Sequence, residues 1–305
     1  MSGNSGADIL SPSWDKAFSS GYNYRHDRCQ VRIGVEAAAL LLVAVIVISG
    51  CATLPERFET ISDPSVSDIR ETLRRIENER LLFLGEAHTS GSDHLFQLEV
   101  LKHLHLKGRR LAVAVEVFPR ERQEVLNAWS RGLINEAAFE RECDRIWDEL
   151  YFYYGDIFRF CRAAGTPVFG IGAVRGFIAS VGKRGTGIIP EGQLEAVRFS
   201  GCASDPEYEK LLKTIESMDV HEGGMPFFCD AQRLLDTMMA RNISEILEDR
   251  ELTVVVLAGA VHASNIAVPG ILGRQSGVRH KVLLPGRFRE MFQGEADRLA
   301  DYFWY

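Results

Sequence analysis

Cysteine is scarce in this chain of 305 residues, and basic residues are not in excess. Six cysteines are too few for a disulfide scaffold of this length. Lys and Arg total 35 against 42 Asp and Glu, a formal net charge of −7, which does not supply the basic face that a nucleic-acid binder needs. With 46% hydrophobic and 25% charged residues, the composition is that of a globular protein and not of a disordered one. We therefore expect a folded protein with no nucleic-acid partner.

Long hydrophobic segments are also lacking. The longest apolar run covers residues 37–48, whereas a bilayer span takes about 20 residues, so a polytopic membrane protein is excluded. Behind the positive flank at Arg32, this run has the length of a signal-peptide core, and the small residues before Cys51 resemble a bacterial lipobox. We predict that the thiol of Cys51 is acylated. The alternative is an uncleaved anchor helix with an incidental cysteine.

We predict cleavage before Cys51, and a chain of three parts. We predict an N-terminal extension and signal peptide over residues 1–50, a lipidated tether over 51–66 and one α/β domain over 67–305. Ala52 is not the acidic residue that retains lipoproteins in the inner membrane, so we expect an outer-membrane lipoprotein that faces the periplasm. The membrane is then a partner through the N-terminal lipid.

Four cysteines of the mature chain would meet an oxidising compartment. They allow three pairings, among which the sequence does not choose, and some can equally be buried thiols. The four are Cys143, Cys161, Cys202 and Cys229.

The folded part alternates short apolar runs with amphipathic stretches. Apolar runs at 81–84, 111–115, 167–171 and 252–258 indicate buried strands, and 280–284 indicates a fifth. Continuous apolar strands separated by helices predict an α/β fold, with a mostly parallel sheet and helices on both faces. Residues 186–241 are too long for a simple crossover, and we predict a helical insertion or lid there.

Histidines and carboxylates follow three of the predicted strands. Four Gly-x-x-His segments occur, but only those ending at His88 and His262 directly follow a strand. Glu86 lies within the first of them, and Glu116 lies near the end of the intervening strand. Because ligands of open parallel sheets bind outside the carboxyl ends of the strands, we expect these four side chains to line a cleft.

Several kinds of chemistry suit such a cluster. Glu86, His88, Glu116 and His262 could hold a divalent metal such as Zn²⁺ or Mn²⁺, with an open position for water, in a hydrolytic site. Without a metal, a histidine oriented by a carboxylate could act as a general base. The alternative is that both histidines are helix-start residues satisfied by backbone groups, with the carboxylates solvated at the rim of the sheet.

The same residues resemble those of a known family, the ChaN-like haem-binding lipoproteins of the Tiki/TraB and erythromycin-esterase-like superfamily. The resemblance runs from about Leu73 to Leu284 and is carried by short motifs in the expected order: Leu84-Gly85-Glu86-Ala87-His88, His94, Gln97-Leu98-Glu99, Val115-Glu116-Val117-Phe118-Pro119, Trp147-Asp148, Gly165-Thr166-Pro167-Val168, Ala231-Gln232-Arg233, Asp236, and Leu257-Ala258-Gly259-Ala260-Val261-His262.

This resemblance implies that the protein binds haem or a similar iron porphyrin and takes part in iron acquisition at the outer membrane. It implies equally that the cluster descends from a metal-dependent hydrolytic site, so the hydrolase is the rival hypothesis, and a scaffold with a vestigial cluster is the third. The implied haem-binding residues are His88, His94, Gln232, Arg233, Asp236 and His262.

Other features of the domain suit haem without selecting a ligand. Tyr208, His221 and Met225 in the insertion are candidates for a ligand or for lining a slot. The aromatic residues between 147 and 158 have helical spacing, which favours the core. The aromatic C-terminal segment Asp301–Tyr305 either docks on the body of the domain or forms the surface of a homodimer.

Overall fold

The computed structural model describes residues 58–60, 69–217, 225–292 and 296–305. The predicted signal peptide, Cys51, most of the tether and His221 lie outside the described residues. The described strands are β1 Phe58–Thr60, β2 Leu81–Glu86, β3 Leu111–Pro119, β4 Val168–Gly172, β5 Thr253–Gly259, β6 Lys281–Pro285 and β7 Tyr302–Trp304.

Twelve α-helices lie within the same residues. They are α1 Ile69–Ile76, α2 Gly91–Leu106, α3 Gln123–Ser130, α4 Glu136–Ile146, α5 Leu150–Ala163, α6 Arg175–Arg184, α7 Glu191–Ala196, α8 Pro206–Ser217, α9 Phe228–Ile246, α10 Ala260–Ala263, α11 Val268–Ser276 and α12 Gly286–Met291. None of the described helices is both long and apolar enough to cross a membrane.

The strands form one sheet in the order β1-β7-β6-β2-β5-β3-β4. All described neighbours pair in parallel except β1, which runs antiparallel to β7. The predicted α/β fold with a mostly parallel sheet is confirmed, as is the fifth predicted strand, which is β6. The chain leaves the centre of the sheet after β2 and returns to it with β5, so the three strands that carry the predicted cluster are neighbours.

The strands read as continuous apolar runs because both faces of the sheet are covered. Along β2, Leu81 and Phe83 enter one core, whereas Leu82 and Leu84 enter the other, as the alternation of side chains along a strand requires. Residues of α1–α5 fill the second core, and residues of α8, α9, α11 and α12 fill the first. Helices therefore cover both faces, as predicted.

The predicted insertion is helical where the structure describes it. It contains α7, α8 and most of α9. A disulfide between Cys202 and Cys229, with a Cα–Cα distance of 5.7 Å, joins the segment before α8 to the start of α9. Cys143 and Cys161 are free and buried. The four cysteines therefore include both a disulfide and buried thiols, the two alternatives that the sequence left open.

Two aromatic segments divide between core and surface. In α5, Tyr154 and Phe158 are buried core residues as their spacing predicted, but Phe152 is 79% exposed. At the C-terminus, Tyr302–Trp304 is strand β7 and is buried. The C-terminal segment therefore docks on the body of the domain, which is one of the two alternatives expected for it.

Candidate functional site

The carboxyl ends of β2, β5 and β3 bring the predicted cluster together. Parallel pairing places Glu86 beside Gly259, and the chain continues from these residues to His88 and His262. Glu116 of β3 lies between the two imidazoles, with its Oε1 4.0 Å from Nε2 of His88 and 3.6 Å from Nε2 of His262. The four side chains predicted to line one cleft therefore meet at one edge of the sheet.

Glu86 lies behind His88, on the side of the ring that faces the core. Nδ1 of His88 is 2.8 Å from Oε1 of Glu86. The same carboxylate accepts hydrogen bonds from Nε2 of Gln97 at 2.5 Å and from the hydroxyl of Tyr154. Because three donors surround it, Glu86 is held as an orienting group for His88.

The first turns of α2 hold the backbone that carries His88. The Ala87 amide donates to Oδ2 of Asp93 at 2.8 Å, and Arg287 of α12 pairs with the same carboxylate. Nε2 of His94 bonds the carbonyl oxygen of His88 at 2.9 Å, and its Nδ1 lies 3.1 Å from Oε1 of Gln97. With both ring nitrogens in hydrogen bonds and 4% exposure, His94 supports the backbone that carries His88.

His262 has its own carboxylate, supplied by α9. Nδ1 of His262 lies 2.5 Å from Oδ1 of Asp236, and the hydroxyl of Tyr208 donates to the other oxygen at 2.6 Å. Asp236 and Tyr208 are both fully buried. The insertion therefore orients His262, and Tyr208, a candidate ligand from the sequence, is part of this support.

The remaining predicted haem residues lie around this second pair. Arg233 is buried, with its guanidinium 4.8 Å above the ring of Tyr208 and 3.4 Å from Asp205. Gln232 is half-buried and makes no hydrogen bond with the described residues. Met225 packs against the core that covers one face of the sheet. Among the described residues, Asp236 therefore reaches the cluster, whereas the side chain of Gln232 does not bond to it.

Gly259 is the backbone contact that positions Glu116. Its amide donates to Oε2 of Glu116 at 2.7 Å. A Cβ at this position would lie 3.2 Å from Nε2 of His88, tighter than an ordinary contact. The glycine of this Gly-x-x-His segment thus leaves room for the close approach of the other histidine.

The carboxylates decide the charge of the two imidazoles. Burial alone would lower the pKa of His262, but Glu116 and Asp236 outweigh it and raise the pKa to about 9. Burial also opposes the charged form of His88, yet Glu86 and Glu116 raise its pKa. Burial favours the neutral acid at Glu86, and the hydrogen bond from His88 with the nearby imidazoles lowers its pKa nevertheless. Neighbouring carboxylates therefore stabilise the charged form of both rings, and the pKa of about 9 keeps His262 an imidazolium at neutral pH.

A cavity of about 220 Å³ opens beside His88. It is lined by His88, Thr89, Trp147, Asp148, Glu149, Leu150, Tyr153 and Tyr154. The Trp147 ring meets the imidazole of His88 edge-on, with the ring centroids 4.7 Å apart. The side chain of His88 is 27% exposed, against 13% for His262 and 10% for Glu116, so His88 is the member of the cluster that reaches this space most openly.

The divalent metal site predicted from Glu86, His88, Glu116 and His262 is not formed. Among the described residues, no group of three or more His, Cys, Asp or Glu side chains has an arrangement that could hold a metal ion. The carboxylate of Glu86 contacts Nδ1 of His88, Gln97 and Tyr154, so it supports His88 and does not join Glu116 at the Nε2 atoms of the two histidines. The four residues form two oriented imidazoles around Glu116.

Comparison with known proteins identifies the class to which this fold and site belong. The family described as "Haem-binding uptake, Tiki superfamily, ChaN" matches residues 72–272. The chain therefore belongs to this haem-binding family, as its motifs indicated. No curated protein sequence matches the chain.

Solved structures agree with this fold. ChaN of Campylobacter jejuni, described with cofacial haem binding, has a TM-score of 0.59 at 17% identity and covers 82% of this chain and 96% of its own. An erythromycin esterase, EreC, has a TM-score of 0.43 at 13% identity over 75% of this chain and 76% of its own. A succinoglycan biosynthesis protein has a TM-score of 0.45 at 12% identity and covers 77% of this chain and 73% of its own. We draw no conclusion from the last two.

Proposed function

We propose that this protein binds haem at the cavity beside His88 and takes part in haem or iron acquisition as a lipid-anchored protein of the outer membrane. Membership of a haem-binding uptake family supports the ligand. The observation that carries the proposed site is the aromatic cavity into which a partly exposed, carboxylate-oriented histidine opens.

The residues of this cavity fit a porphyrin. A haem site needs an apolar surface for the ring together with polar groups at its edge, and haem supplies an iron with axial positions. Trp147, Leu150 and Tyr153 give the apolar surface, and His88 gives an imidazole whose Nδ1 is already fixed. These side chains would hold and orient the ring.

The size of the cavity indicates how haem would be bound. Ligand pockets that enclose a small molecule usually measure about 300–1,000 Å³. At about 220 Å³, this cavity accommodates part of a porphyrin and leaves the rest outside. Partly exposed haem suits a protein that takes up and passes on its ligand. The phenyl ring of Phe152, which is 79% exposed, meets the ring of Tyr153 in the cavity lining edge-on, with the centroids 5.0 Å apart.

The metal-dependent hydrolase is not the function we propose. Its central requirement was a metal site built from the strand-end residues, and the described residues do not form one. The supporting shell of Gln97, Tyr154, Asp93 and Tyr208 holds the two histidines in place and is equally compatible with a binding protein.

Hemin titration of the full-length chain tests haem binding. We expect a Soret band at a defined stoichiometry and a weaker band in Trp147→Ala, because that ring lines the cavity. Leu133→Ala, at an apolar position that is 72% exposed and not part of the cavity lining, is the matched control. A folded protein that gives no band would refute the proposal, and a normal band in Trp147→Ala would move the site elsewhere.

Membrane anchoring has a separate test. The lipobox-like residues before Cys51 support acylation there. We expect the wild-type chain in the outer-membrane fraction and Cys51→Ser released from it, because removing the acylated thiol removes the anchor. Unchanged fractionation of Cys51→Ser would refute the lipoprotein part and leave haem binding untouched.

A further inference from the structure

Arg175 contacts a wall of the cavity through the ring of Trp147. It is the first residue of α6 and is exposed. Its Cζ lies 4.7 Å from the centroid of the Trp147 ring. Among the described residues nothing forms a hydrogen bond or ion pair with its guanidinium. A charged group held in place by an aromatic ring, but without a counter-ion, is suited to an anionic ligand.

Stacking determines which part of the guanidinium is available. When an arginine lies over an aromatic face, its N–H groups point outward in the plane of the group. These groups form a fork that matches a carboxylate with two parallel hydrogen bonds. Trp147 lines the cavity and contacts His88. The available donors of Arg175 are therefore coupled to a wall of the proposed haem site.

The remaining charges of the rim have the opposite sign. Asp148 and Glu149 are exposed and line the cavity. Carboxylates on a ligand are repelled by Glu149 and attracted by Arg175, so a ligand with acidic groups on one edge is driven into one orientation. The propionates of haem lie on one edge of a planar apolar ring, which is the pattern that this rim complements.

We propose that Arg175 binds the propionate carboxylates and that the site selects planar macrocycles with carboxylates on one edge. This inference rests on the proposed haem binding and deepens it, because it names the part of the ligand that is recognised.

Two other arginines that lie over an aromatic ring differ from Arg175 in their pairing or in their location. Arg159 lies over the Tyr151 ring but is paired with Glu136 and Asp156. Arg162 lies 4.2 Å from the centroid of the Trp129 ring, which does not line the cavity. Arg162 thus shares the stacking of Arg175 without its location, and it is the matched control.

Carboxylate recognition is tested by comparing hemin with hemin dimethyl ester, in which both propionates are neutral. The affinity of each for the full-length chain is measured by titration in wild type, Arg175→Gln, Arg175→Lys and Arg162→Gln. We expect Arg175→Gln to weaken hemin binding about three- to fivefold, the upper end of the range of exposed charge pairs. The ester should bind wild type and Arg175→Gln alike within about twofold. Arg175→Lys should restore part of the hemin affinity, because it keeps the charge and loses the fork.

The outcomes separate the two proposals. Equal hemin affinity in Arg175→Gln and wild type, or an equal loss for hemin and its ester, overturns the role of Arg175 while haem binding stands. A loss of the same size in Arg162→Gln also overturns it, since the effect is then not local. If wild type binds neither ligand, the proposed function fails and this inference fails with it. The same titrations with iron-free protoporphyrin and its dimethyl ester must show the same dependence on Arg175 for the free acid and not for the ester, because no iron contact is involved.

Discussion

The two histidine–carboxylate pairs of the site look alike but depend on different parts of the chain. His88 takes its carboxylate from Glu86, two residues earlier on the same strand, and α2 and α5 hold that carboxylate. His262 takes its carboxylate from Asp236 of α9, and Tyr208 of α8 holds it from within the insertion. The first pair belongs to the framework of the sheet, whereas the second exists only where the insertion is docked.

This difference teaches how the family fold could be altered without losing the site. His88 is fixed mainly by the turn after β2 and by α2, through Glu86, His94 and Gln97, with Tyr154 of α5 as a contact from farther along the chain. His262 is fixed through partners 26 residues away at Asp236 and a further 28 residues away at Tyr208. Changes in the insertion should therefore act on His262 and leave His88 in place.

Asp236→Ala should produce the largest effect. It removes a fully buried carboxylate and takes away the partner of both Nδ1 of His262 and the Tyr208 hydroxyl. We expect the free energy of unfolding to fall by about 3–5 kcal/mol, the range for breaking a buried charged pair. Urea unfolding measures it, with Asp156→Ala as control because that aspartate is 73% exposed. A loss below about 1 kcal/mol would show that Asp236 is not a buried support.

Removal of the Cys202–Cys229 disulfide should come next in size. The bond closes a loop with a sequence separation of 27, for which chain entropy gives about 3 kcal/mol. We expect the double Ala variant to lose stability by about this amount and its α8 amides to exchange hydrogen faster. The amides of α2, which support His88, should keep their protection. Equal loss of protection in both helices would contradict the proposed independence of the two pairs.

The pH dependence of stability should report the second pair. The pKa of His262 is raised to about 9 in the folded protein, above its ordinary value of 6.5. Protonation of this ring therefore stabilises the fold fully below pH 6.5, and the contribution is lost as pH rises through about 9. We expect urea unfolding to show a fall in stability between about pH 7 and pH 10 that is smaller in His262→Asn. The same slope in both proteins would show that His262 does not carry the charge.

The sequence predicts the strand-end residues well because their positions follow from the pattern of buried strands. His88, Glu116 and His262 each occur at or just after an apolar run, and parallel strands bring such ends to one edge. Asp236 followed only from the family resemblance. The pattern did not reveal that Glu86 faces the core, because the direction of its side chain is decided by Gln97 and Tyr154.

The supporting residues were harder to predict for the same reason. Tyr154 has the spacing of a core residue and is one, yet its hydroxyl also reaches Glu86. Asp93 also supports the site, and its contact with Arg287 joins segments 194 residues apart in sequence. Arg175 carried no signal at all, because only the folded structure places it on Trp147. Packing decides which side chains of different helices and strands meet, and a single sequence does not show that packing.

The smallest and sharpest comparison removes one hydroxyl from each pair. Tyr154→Phe takes a donor from Glu86, and Tyr208→Phe takes a donor from Asp236, at two fully buried rings. Each should cost about 1–2 kcal/mol of unfolding free energy, since one hydrogen bond to a charged group is lost while the ring stays. The imidazole NMR signals should separate the variants, with Tyr154→Phe shifting His88 and Tyr208→Phe shifting His262. If either variant shifted both signals equally, Glu116 would couple the two imidazoles into a single unit, and the division between framework and insertion would not hold.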